Sequence, residues 1–185
     1  MTVPNKSVRS PSDIARFEAT VLVHLDAAYG LARWLIQDQA AAEDAVQDAC
    51  LRALRFWDGM SGPNPKAWFM AVVRNTCMDW LRASKRRGLE NEYDDELHGM
   101  MNSDSRQTPE TLLLQASEAK WVRESIALLP IEFREVIVLR ELEEMSYKEI
   151  SAIVNVPIGT VMSRISRGRD LLAHRLQADV RKATR

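Results

Sequence analysis

The stretch Ser146–Leu176, SYKEISAIVNVPIGTVMSRISRGRDLLAHRL, has the pattern of a helix-turn-helix. Ser146 followed three residues later by Glu149 is typical of a capping box at a helix start. The apolar pattern breaks at Asn155, and Pro157 is tolerated in the first turn of a new helix. Apolar residues at helical spacing then alternate with a polar surface rich in arginine. This pattern predicts a recognition helix that reads base edges in a major groove and neutralises phosphates.

Working outward, composition and hydropathy exclude several classes of protein. The chain has 185 residues, 46% of them hydrophobic, which fits one globular domain or two small ones. Its apolar runs are too short to span a bilayer and its start lacks a signal-peptide core, so we expect a cytoplasmic protein without membrane insertion. Cys50 and Cys77 lie in helical patterns with no CxxC motif. Buried free thiols are therefore expected, with no metal, cofactor or disulfide.

Charge is segregated along the chain although the formal net charge is only -1. One basic cluster lies between Arg74 and Arg87, a second runs from Arg164 to Arg185, and Glu90–Glu110 between them is strongly acidic. Two basic surfaces joined by an acidic tether indicate two contacts with one DNA partner. The alternative, that each charged run is only a solvated surface, fits any single run equally well.

The spacing of apolar residues predicts an all-α fold of two small helical domains joined by a flexible acidic linker. In the first domain we expect one long helix over Ile14–Ile36, then helices over Ala41–Trp57 and from Lys66 to about Arg87. Trp68 and Trp80 fit the inward side of the third helix and are expected in the core rather than stacked on bases. The predicted organisation is a mobile tail 1–11, a first domain 12–88, a linker 89–107, a second domain 108–178 and a basic tail 179–185.

Three segments in order resemble the conserved segments of bacterial RNA polymerase sigma factors of the extracytoplasmic-function (ECF) class of the sigma-70 family. They are AAEDAVQDACLRALRFW, PKAWFMAVVRNTCMDWLRASKRR and LPIEFREVIVLRELEEMSYKEISAIVNVPIGTVMSRISRGRDLL. Together with the acidic gap, the resemblance extends from about residue 15 to 176. It implies a region 2-like domain, a region 4-like domain and a protein that directs core RNA polymerase to specific promoters and helps to melt the minus-ten element.

The resemblance also assigns site residues. In the first domain it implies that Asp44, Gln47 and Asp48 bind core polymerase. It implies that the minus-ten DNA is bound by a polar and basic set: Asn64, Lys66, Arg74, Asn75, Arg82, Lys85, Arg86 and Arg87. It also implies that the loop Ser61–Pro65 and the following helix capture a base flipped from the non-template strand, with Asn75 helping to form the capture site. Such a pocket must offset a few kcal/mol of lost stacking.

In the second domain the resemblance implies that the minus-thirty-five element is read by one helix, through Thr160, Met162, Ser163, Arg164, Ser166, Arg167 and Arg169. Met162 departs from the Lys or Arg that many members carry, and Ser166 stands where some carry a large or cationic residue. A missing base-edge donor redirects discrimination by about 1–3 kcal/mol at one base pair, so the family's promoter sequence does not transfer.

The resemblance further implies an anti-sigma factor as a partner, beside core RNA polymerase and promoter DNA, and a linker whose acids imitate RNA near the exit path; a mere tether is the alternative. No small-molecule substrate is expected. Scattered histidines, no phosphate-binding loop and no nucleophile elbow argue against an enzyme. The competing function is a free-standing dimeric helix-turn-helix regulator. It accounts for Ser146–Leu176 but leaves the segment from Asn64 to Arg87 unexplained.

Overall fold

The computed structural model describes residues 10–57, 60, 64–86, 88 and 120–183, the side chains of 178–183 excepted. All regular elements in these ranges are helical, which confirms the prediction of an all-α fold for the described residues. They are α1 Pro11–Thr20, a 3-10 turn Leu22–His24, α2 Leu25–Ile36, α3 Gln39–Phe56, α4 Pro65–Arg86, α5 with described residues 120–127, α6 Ile131–Ile137, a π-helical turn Val138–Leu142, α7 Tyr147–Val154 and α8 Ile158–Ala183. The predicted linker 89–107 lies outside the described residues.

The prediction of one continuous helix over Ile14–Ile36 is wrong. Ser10 caps α1, and the 3-10 turn at Leu22–His24 separates α1 from α2. A 3-10 turn has about three residues per turn instead of 3.6, so the inward side shifts at this point. Ile14 and Leu25, which lie on the apolar side of the predicted long helix, are 41% and 39% exposed.

The helices α2, α3 and α4 pack against one another and form the centre of the N-terminal half. Asp38 caps α3 by accepting a hydrogen bond from the Ala41 N–H at 2.7 Å, so the helix begins at Gln39, two residues before the predicted start. The side of α3 facing its neighbours is lined with buried alanines, and such small side chains permit close helix packing. Trp57 closes this core with edge-to-face contacts to Phe17 and Trp68.

In the C-terminal half, α8 packs along α6 and α7. Gly168 permits the approach of α8 to α6, since a Cβ at this position would lie 2.8 Å from Cγ1 of the buried Ile137. The carbonyl of Leu129 accepts hydrogen bonds from the guanidinium of Arg134, which ties α6 to the turn before it. At its other end, α6 leads directly into the π-helical turn Val138–Leu142.

The N-terminal helices (α1–α4, residues 10–86) and the C-terminal helices (α5–α8, residues 120–183) pack directly on each other. α4 lies against α7, and α2 lies against α6 and the π-helical turn. The buried apolar residues of both groups form one continuous cluster. The sequence indicates two domains, but helical periodicity does not specify how one domain packs on the other.

Candidate nucleic-acid interface

The predicted capping box is present at the start of α7. Ser146 Oγ accepts from the Glu149 N–H at 3.3 Å, and the Glu149 carboxylate accepts from the Ser146 N–H at 2.8 Å and from its hydroxyl at 2.7 Å. These hydrogen bonds from Ser146 lower the pKa of Glu149, because they favour the charged carboxylate. The first helix of the helix-turn-helix is thus fixed by its own first four residues.

The turn between α7 and α8 follows the residues that the sequence singled out. Asn155 ends α7 in the left-handed conformation with φ of 54°, and Ser151 Oγ donates to the Val156 carbonyl at 2.6 Å. Pro157 directly precedes α8, and its carbonyl accepts from the N–H groups of Thr160 and Val161. The proline therefore stands at the helix cap, one position before the predicted first turn.

The outward side of α8 carries most of the residues expected to read DNA. Val161 and Ile165 are buried, whereas Met162 and Ser163 between them are exposed. The exposed members of the predicted set are Met162, Ser163, Ser166, Arg167 and Arg169, with Thr160 half-buried. Ser163 Oγ donates to the Thr160 carbonyl at 2.9 Å, which leaves its hydroxyl oxygen able to accept.

The three predicted arginines of α8 differ in their partners. Arg164 donates to Oε1 of Glu135 at 3.3 Å. Arg169 pairs with Glu141 at 2.6 Å, and this hydrogen bond raises the pKa of Arg169. Arg167 is exposed. The structure therefore holds Arg164 against α6 while Arg167 projects outward.

On α4, three residues of the predicted minus-ten set contact the C-terminal helices. Asn64 Oδ1 caps α4 by accepting from the Ala67 N–H at 3.0 Å, and its amide Nδ2 donates to Glu149. Lys66 Nζ pairs with the Glu143 carboxylate at 2.9 Å and donates to its carbonyl at 3.2 Å.

Arg74 makes the third contact, through a two-point hydrogen bond to Glu135 in α6. Its Nε donates to Oε2 at 2.9 Å and its Nη2 donates to Oε1 at 3.3 Å. The Glu135 side chain is only 2% exposed, and this burial raises its pKa while Arg74 and Arg164 oppose the rise. One buried carboxylate thus binds an arginine from each group of helices.

The second half of α4 keeps its polar residues towards solvent. Asn75, Arg82, Lys85 and Arg86 are exposed, and Arg87 lies outside the described residues. Arg82 belongs to a line of alternating charges between α3 and α4, in which Asp48 pairs with Arg52 at 2.9 Å, Arg52 with Asp79 at 3.1 Å and Asp79 with Arg82 at 2.9 Å. These exposed pairs connect the predicted polymerase-binding residues to the basic end of α4.

The aromatic residues of α4 lie where their helical spacing placed them. Trp68 is half-buried, with its ring centroid 6.3 Å from that of the buried Trp57. Trp80 and the buried Phe69 also pack on the apolar cluster. The prediction that Trp68 and Trp80 face inward is confirmed, since both are half-buried and pack against the apolar core.

The predicted polymerase-binding residues Asp44, Gln47 and Asp48 share one exposed side of α3. Leu51, one turn further on, is 64% exposed, and Phe56 at the end of α3 is 62% exposed. Carboxylates on such an exposed strip can orient a basic partner, and the large apolar side chains beside them can be buried against it.

Sequence reasoning did not identify the residues on the other side of the α4 contacts. The helical pattern gives no sign that Glu135 and Glu143 bind partners in α4. Nor did it identify Gln37, which follows α2 and donates from Nε2 to the Ala127 carbonyl at 2.6 Å. A carboxylate between the apolar residues Phe133 and Val136 was the available signal, because buried charges require a partner. The sequence pattern did not indicate that Arg74 is the partner of Glu135.

The two thiols add little chemistry. Cys77 is buried, and burial raises its pKa to about 12; burial also raises the pKa of the half-buried Cys50. Within the described ranges, no three His, Cys, Asp or Glu side chains are grouped so as to hold a metal ion. In the same part of the chain, no helix is both long and apolar enough to cross a membrane.

Comparison with known proteins places both halves of the chain. Residues 20–87 match the family Sigma-70 region 2, and residues 119–172 match the family Sigma-70, region 4. The chain is 34% identical over 146 residues to the ECF RNA polymerase sigma-E factor of Escherichia coli K12, a match that covers 75% of each protein. It is 29% identical over 176 residues to the RNA polymerase sigma-H factor of Pseudomonas aeruginosa, with 92% and 91% covered.

Two solved structures share the arrangement of helices. The sigma factor RpoE of Bartonella quintana, solved in complex with the anti-sigma factor NepR, superposes with a TM-score of 0.69 at 27% identity, covering 89% of this chain and 98% of that one. CnrH, solved with the cytosolic domain of CnrY, superposes with a TM-score of 0.63 at 24% identity, covering 90% of both chains. The second likeness bears on the fold alone.

Proposed function

Because this chain belongs to the extracytoplasmic-function sigma factors of the sigma-70 family, which act in transcription initiation, we propose a specific division of labour between its two groups of helices. The N-terminal helices bind core RNA polymerase and the minus-ten element, and the C-terminal helices bind the minus-thirty-five element. The proposed units are 12–88 and 108–178, joined by the acidic segment 89–107 and flanked by the tails 1–11 and 179–185. The protein performs no catalysis of its own and works in the cytoplasm beside the polymerase.

The outward side of α8 is the observation that carries the proposal. The buried Val161 and Ile165 hold α8 on its group, while Met162, Ser166 and Arg167 stand free of the core at the start of the helix. A recognition helix places its N-terminal residues against base edges in the major groove. Arg167 fits direct contact with a guanine or a phosphate, and Met162 offers an apolar contact to a thymine methyl group.

On α4, the exposed Asn75, Arg82, Lys85 and Arg86 form the proposed minus-ten surface, with Arg87 following them in sequence. A single strand drawn from the duplex needs phosphate neutralisation along its path and a pocket for the flipped base. The exposed cations supply the first, and Asn75, together with Asn64 at the start of α4, belongs to the second. In the arrangement described above, Asn64, Lys66 and Arg74 instead contact the C-terminal helices.

The exposed side of α3 is the proposed polymerase-binding surface. Asp44, Gln47 and Asp48 provide acidic and amide groups on a rigid helix, and Leu51 extends the strip with an apolar side chain. A basic surface on core polymerase is the complementary partner.

We also propose that an anti-sigma factor controls this protein. The support is the likeness to RpoE, at 27% identity over 98% of that chain, which was solved bound to NepR. A protein that binds both groups of helices at once would keep the promoter-binding surfaces from DNA.

Run-off transcription with purified core polymerase tests the proposal. The chain is added to core on genomic fragments, including the DNA upstream of its own gene, and discrete transcripts are expected only when both are present. Asp44→Lys is expected to abolish capture of core polymerase because it reverses charge on α3, while Glu18→Lys on the exposed side of α1 should leave capture intact. Binding to operator DNA as a dimer, with no capture of polymerase, would instead identify a free-standing regulator.

A further inference from the structure

The start of α8 carries two large apolar side chains that the protein's own core does not bury. Ile158 is 44% exposed and Met162 is 52% exposed, whereas Val161 and Ile165 of the same helix are buried. Because Ile158 and Met162 are four positions apart, their side chains are neighbours on one side of the helix. The folded protein therefore presents a small apolar surface, made of Ile158 and Met162, to a partner that contacts this helix.

The residues beside this apolar surface leave room for a partner to approach the helix closely. At about 3.6 residues per turn, Met162 and Arg167 lie on opposite edges of the exposed side, roughly 140° apart around the axis. Between them lie Gly159 and Ser166, both exposed, and a Cβ added at Gly159 would meet no atom within 4 Å. The middle of the exposed side is thus formed by small residues, with a long apolar side chain on one edge and a long cationic one on the other.

Charge around the apolar surface favours DNA as its partner. The segment from Ile158 to Arg169 contains no Asp or Glu, and the first acidic residue of α8 is the exposed Asp170. Arg167, which is exposed, adds a cation that suits the negative charge of a phosphate backbone. Two apolar side chains among serines also form a much smaller surface than the patches of roughly a few hundred Å² that mark protein-binding sites.

In the major groove, thymine is the base that presents a methyl group. Its C5-methyl lies beside the O4 acceptor, whereas guanine, adenine and cytosine are distinguished there by hydrogen-bond donors and acceptors. The thioether of Met162 donates no hydrogen bond and accepts only weakly, so it matches none of those three patterns. Burial of one methyl group against an apolar side chain favours binding by about fourfold. A thymine is therefore the base that the apolar surface of α8 selects.

We propose that Met162, with Ile158 beside it, reads the C5-methyl group of a thymine in the minus-thirty-five element, while Arg167 on the other edge reads a guanine. This inference rests on the proposed function of α8 and names the bases that the helix selects. Met162 and Arg167 are five positions apart, about 7.5 Å along the axis at about 1.5 Å per residue. Since base pairs are about 3.4 Å apart, the thymine and the guanine lie within about three base pairs of each other.

Replacement of thymine by uracil in the promoter tests this inference, because uracil lacks only the C5-methyl group and keeps its base pairing. Holoenzyme, formed from core polymerase and the full chain, is titrated onto a labelled promoter fragment found by run-off transcription. Each thymine in the minus-thirty-five region that the holoenzyme protects from nuclease is replaced singly, and fluorescence anisotropy gives the affinity. We expect one or two positions at which the uracil fragment binds the wild-type holoenzyme about fourfold more weakly.

Three variants assign the lost affinity to a side chain. Met162→Ala should bind the thymine and uracil fragments equally at the sensitive position, because the apolar partner of the methyl group is gone. Met162→Lys should also lose the difference and should favour a guanine at that position, because its ammonium group can donate to guanine O6 and N7. Leu171→Ala is the matched control and should keep the fourfold difference, since Leu171 is an apolar residue of α8 that is 37% exposed and lies beyond Asp170.

Salt dependence distinguishes a methyl contact from a phosphate contact. An apolar contact releases no counterions, so Met162→Ala should lower the affinity without changing the slope of log affinity against log salt concentration. A smaller slope would mean that the substitution has displaced a cation from a phosphate, and it would overturn the assignment of Met162 to a thymine methyl group.

The remaining outcomes are also decisive. If wild type binds the thymine and uracil fragments equally at every position, or if Met162→Ala keeps the uracil difference, the inference is overturned. If Met162→Ala weakens capture of core polymerase and keeps the uracil difference, the apolar surface binds a protein instead. If the wild-type holoenzyme prefers no genomic fragment to a scrambled one, the proposed function fails and the inference falls with it. Specific binding that is insensitive to uracil leaves the function standing and rejects the inference alone.

Discussion

The long helices α4 and α8 share an amphipathic pattern of buried apolar and outward basic residues. Their basic residues nevertheless contact different neighbours. The paired cations of α8, Arg164 and Arg169, bond to carboxylates of their own group of helices, and Arg167 faces solvent. In the first half of α4, Lys66 and Arg74 bond to carboxylates of the other group. The outward side of α8 is therefore exposed to solvent, whereas the first half of α4 is covered by the C-terminal helices.

This difference shows that two helices with the same amphipathic pattern can present different surfaces, because their basic side chains bond to different partners. Ion pairs between a basic helix and carboxylates of its own group of helices hold the arginine side chains in fixed rotamers. The remaining polar atoms then face outward, where DNA can contact them. The same kind of helix is covered when carboxylates of a neighbouring group of helices bond to its basic side chains. The following predictions test the two situations in order of expected effect.

The largest effect is expected at Glu135, which joins α4 to α8. Glu135→Ala removes the carboxylate that both Arg74 and Arg164 bond to, and it should lower the free energy of unfolding by about 3 kcal/mol. Chemical denaturation measures this value, with the exposed Glu124→Ala as a control that should change it by less than about 0.5 kcal/mol. A loss at Glu135 no larger than at Glu124 would mean that the two helices are not linked through this residue.

The next effect concerns the prepared surface of α8. Arg167→Ala should weaken promoter binding by about 1–3 kcal/mol without lowering the thermal midpoint, because the side chain is exposed. Arg175→Ala, an exposed arginine two turns further along the same helix, is the matched control and should retain affinity. Fluorescence anisotropy of holoenzyme on a labelled promoter fragment gives both affinities. Equal binding by wild type and Arg167→Ala would reject this placement of the reading surface.

Two glycines of α8 should respond with opposite signs to the same substitution. Gly168→Ala places a Cβ 2.8 Å from buried Ile137 in the wall of α6, so overpacking of about 1–3 kcal/mol should exceed the gain in helix propensity. Gly159→Ala meets no atom within 4 Å and should stabilise the protein by up to about 1 kcal/mol. Thermal unfolding distinguishes them, and two shifts of the same sign would contradict the close packing of α8 on α6.

The smallest effect is a pH dependence at Glu149, which contacts both α7 and Asn64 before α4. Its pKa is lowered by Ser146, so the stability it contributes is fully present above its ordinary value of 4.5 and is lost as the pH falls through the lower folded-state value. The stability difference between wild type and Glu149→Gln should therefore narrow below about pH 4.5. In a Ser146→Ala background the narrowing should be smaller, because the hydroxyl bond to Glu149 is lost while the bond from the backbone N–H remains. Narrowing of unchanged size would assign the effect to another residue.

Much of the local structure was readable from the chain alone. The capping box at Ser146, the helix break at Asn155 and the inward Trp68 follow from rules that act within a few residues. The same rules failed at Leu22–His24, where a 3-10 turn interrupts a pattern that reads as continuous. Periodicity does not register such a turn, since tertiary packing of Phe17 and Trp57 determines the direction of α1.

By itself, the sequence determined the all-helical class, the helix-turn-helix and which residues of α4 and α8 are polar and outward, because these depend on neighbours at three and four positions. Only the tertiary structure decided what those outward residues meet. Arg74 and Glu135 are 61 positions apart, and Asn64 and Glu149 are 85 apart. Helical period specifies the direction of a side chain from its own axis, whereas its partner depends on how separate helices pack.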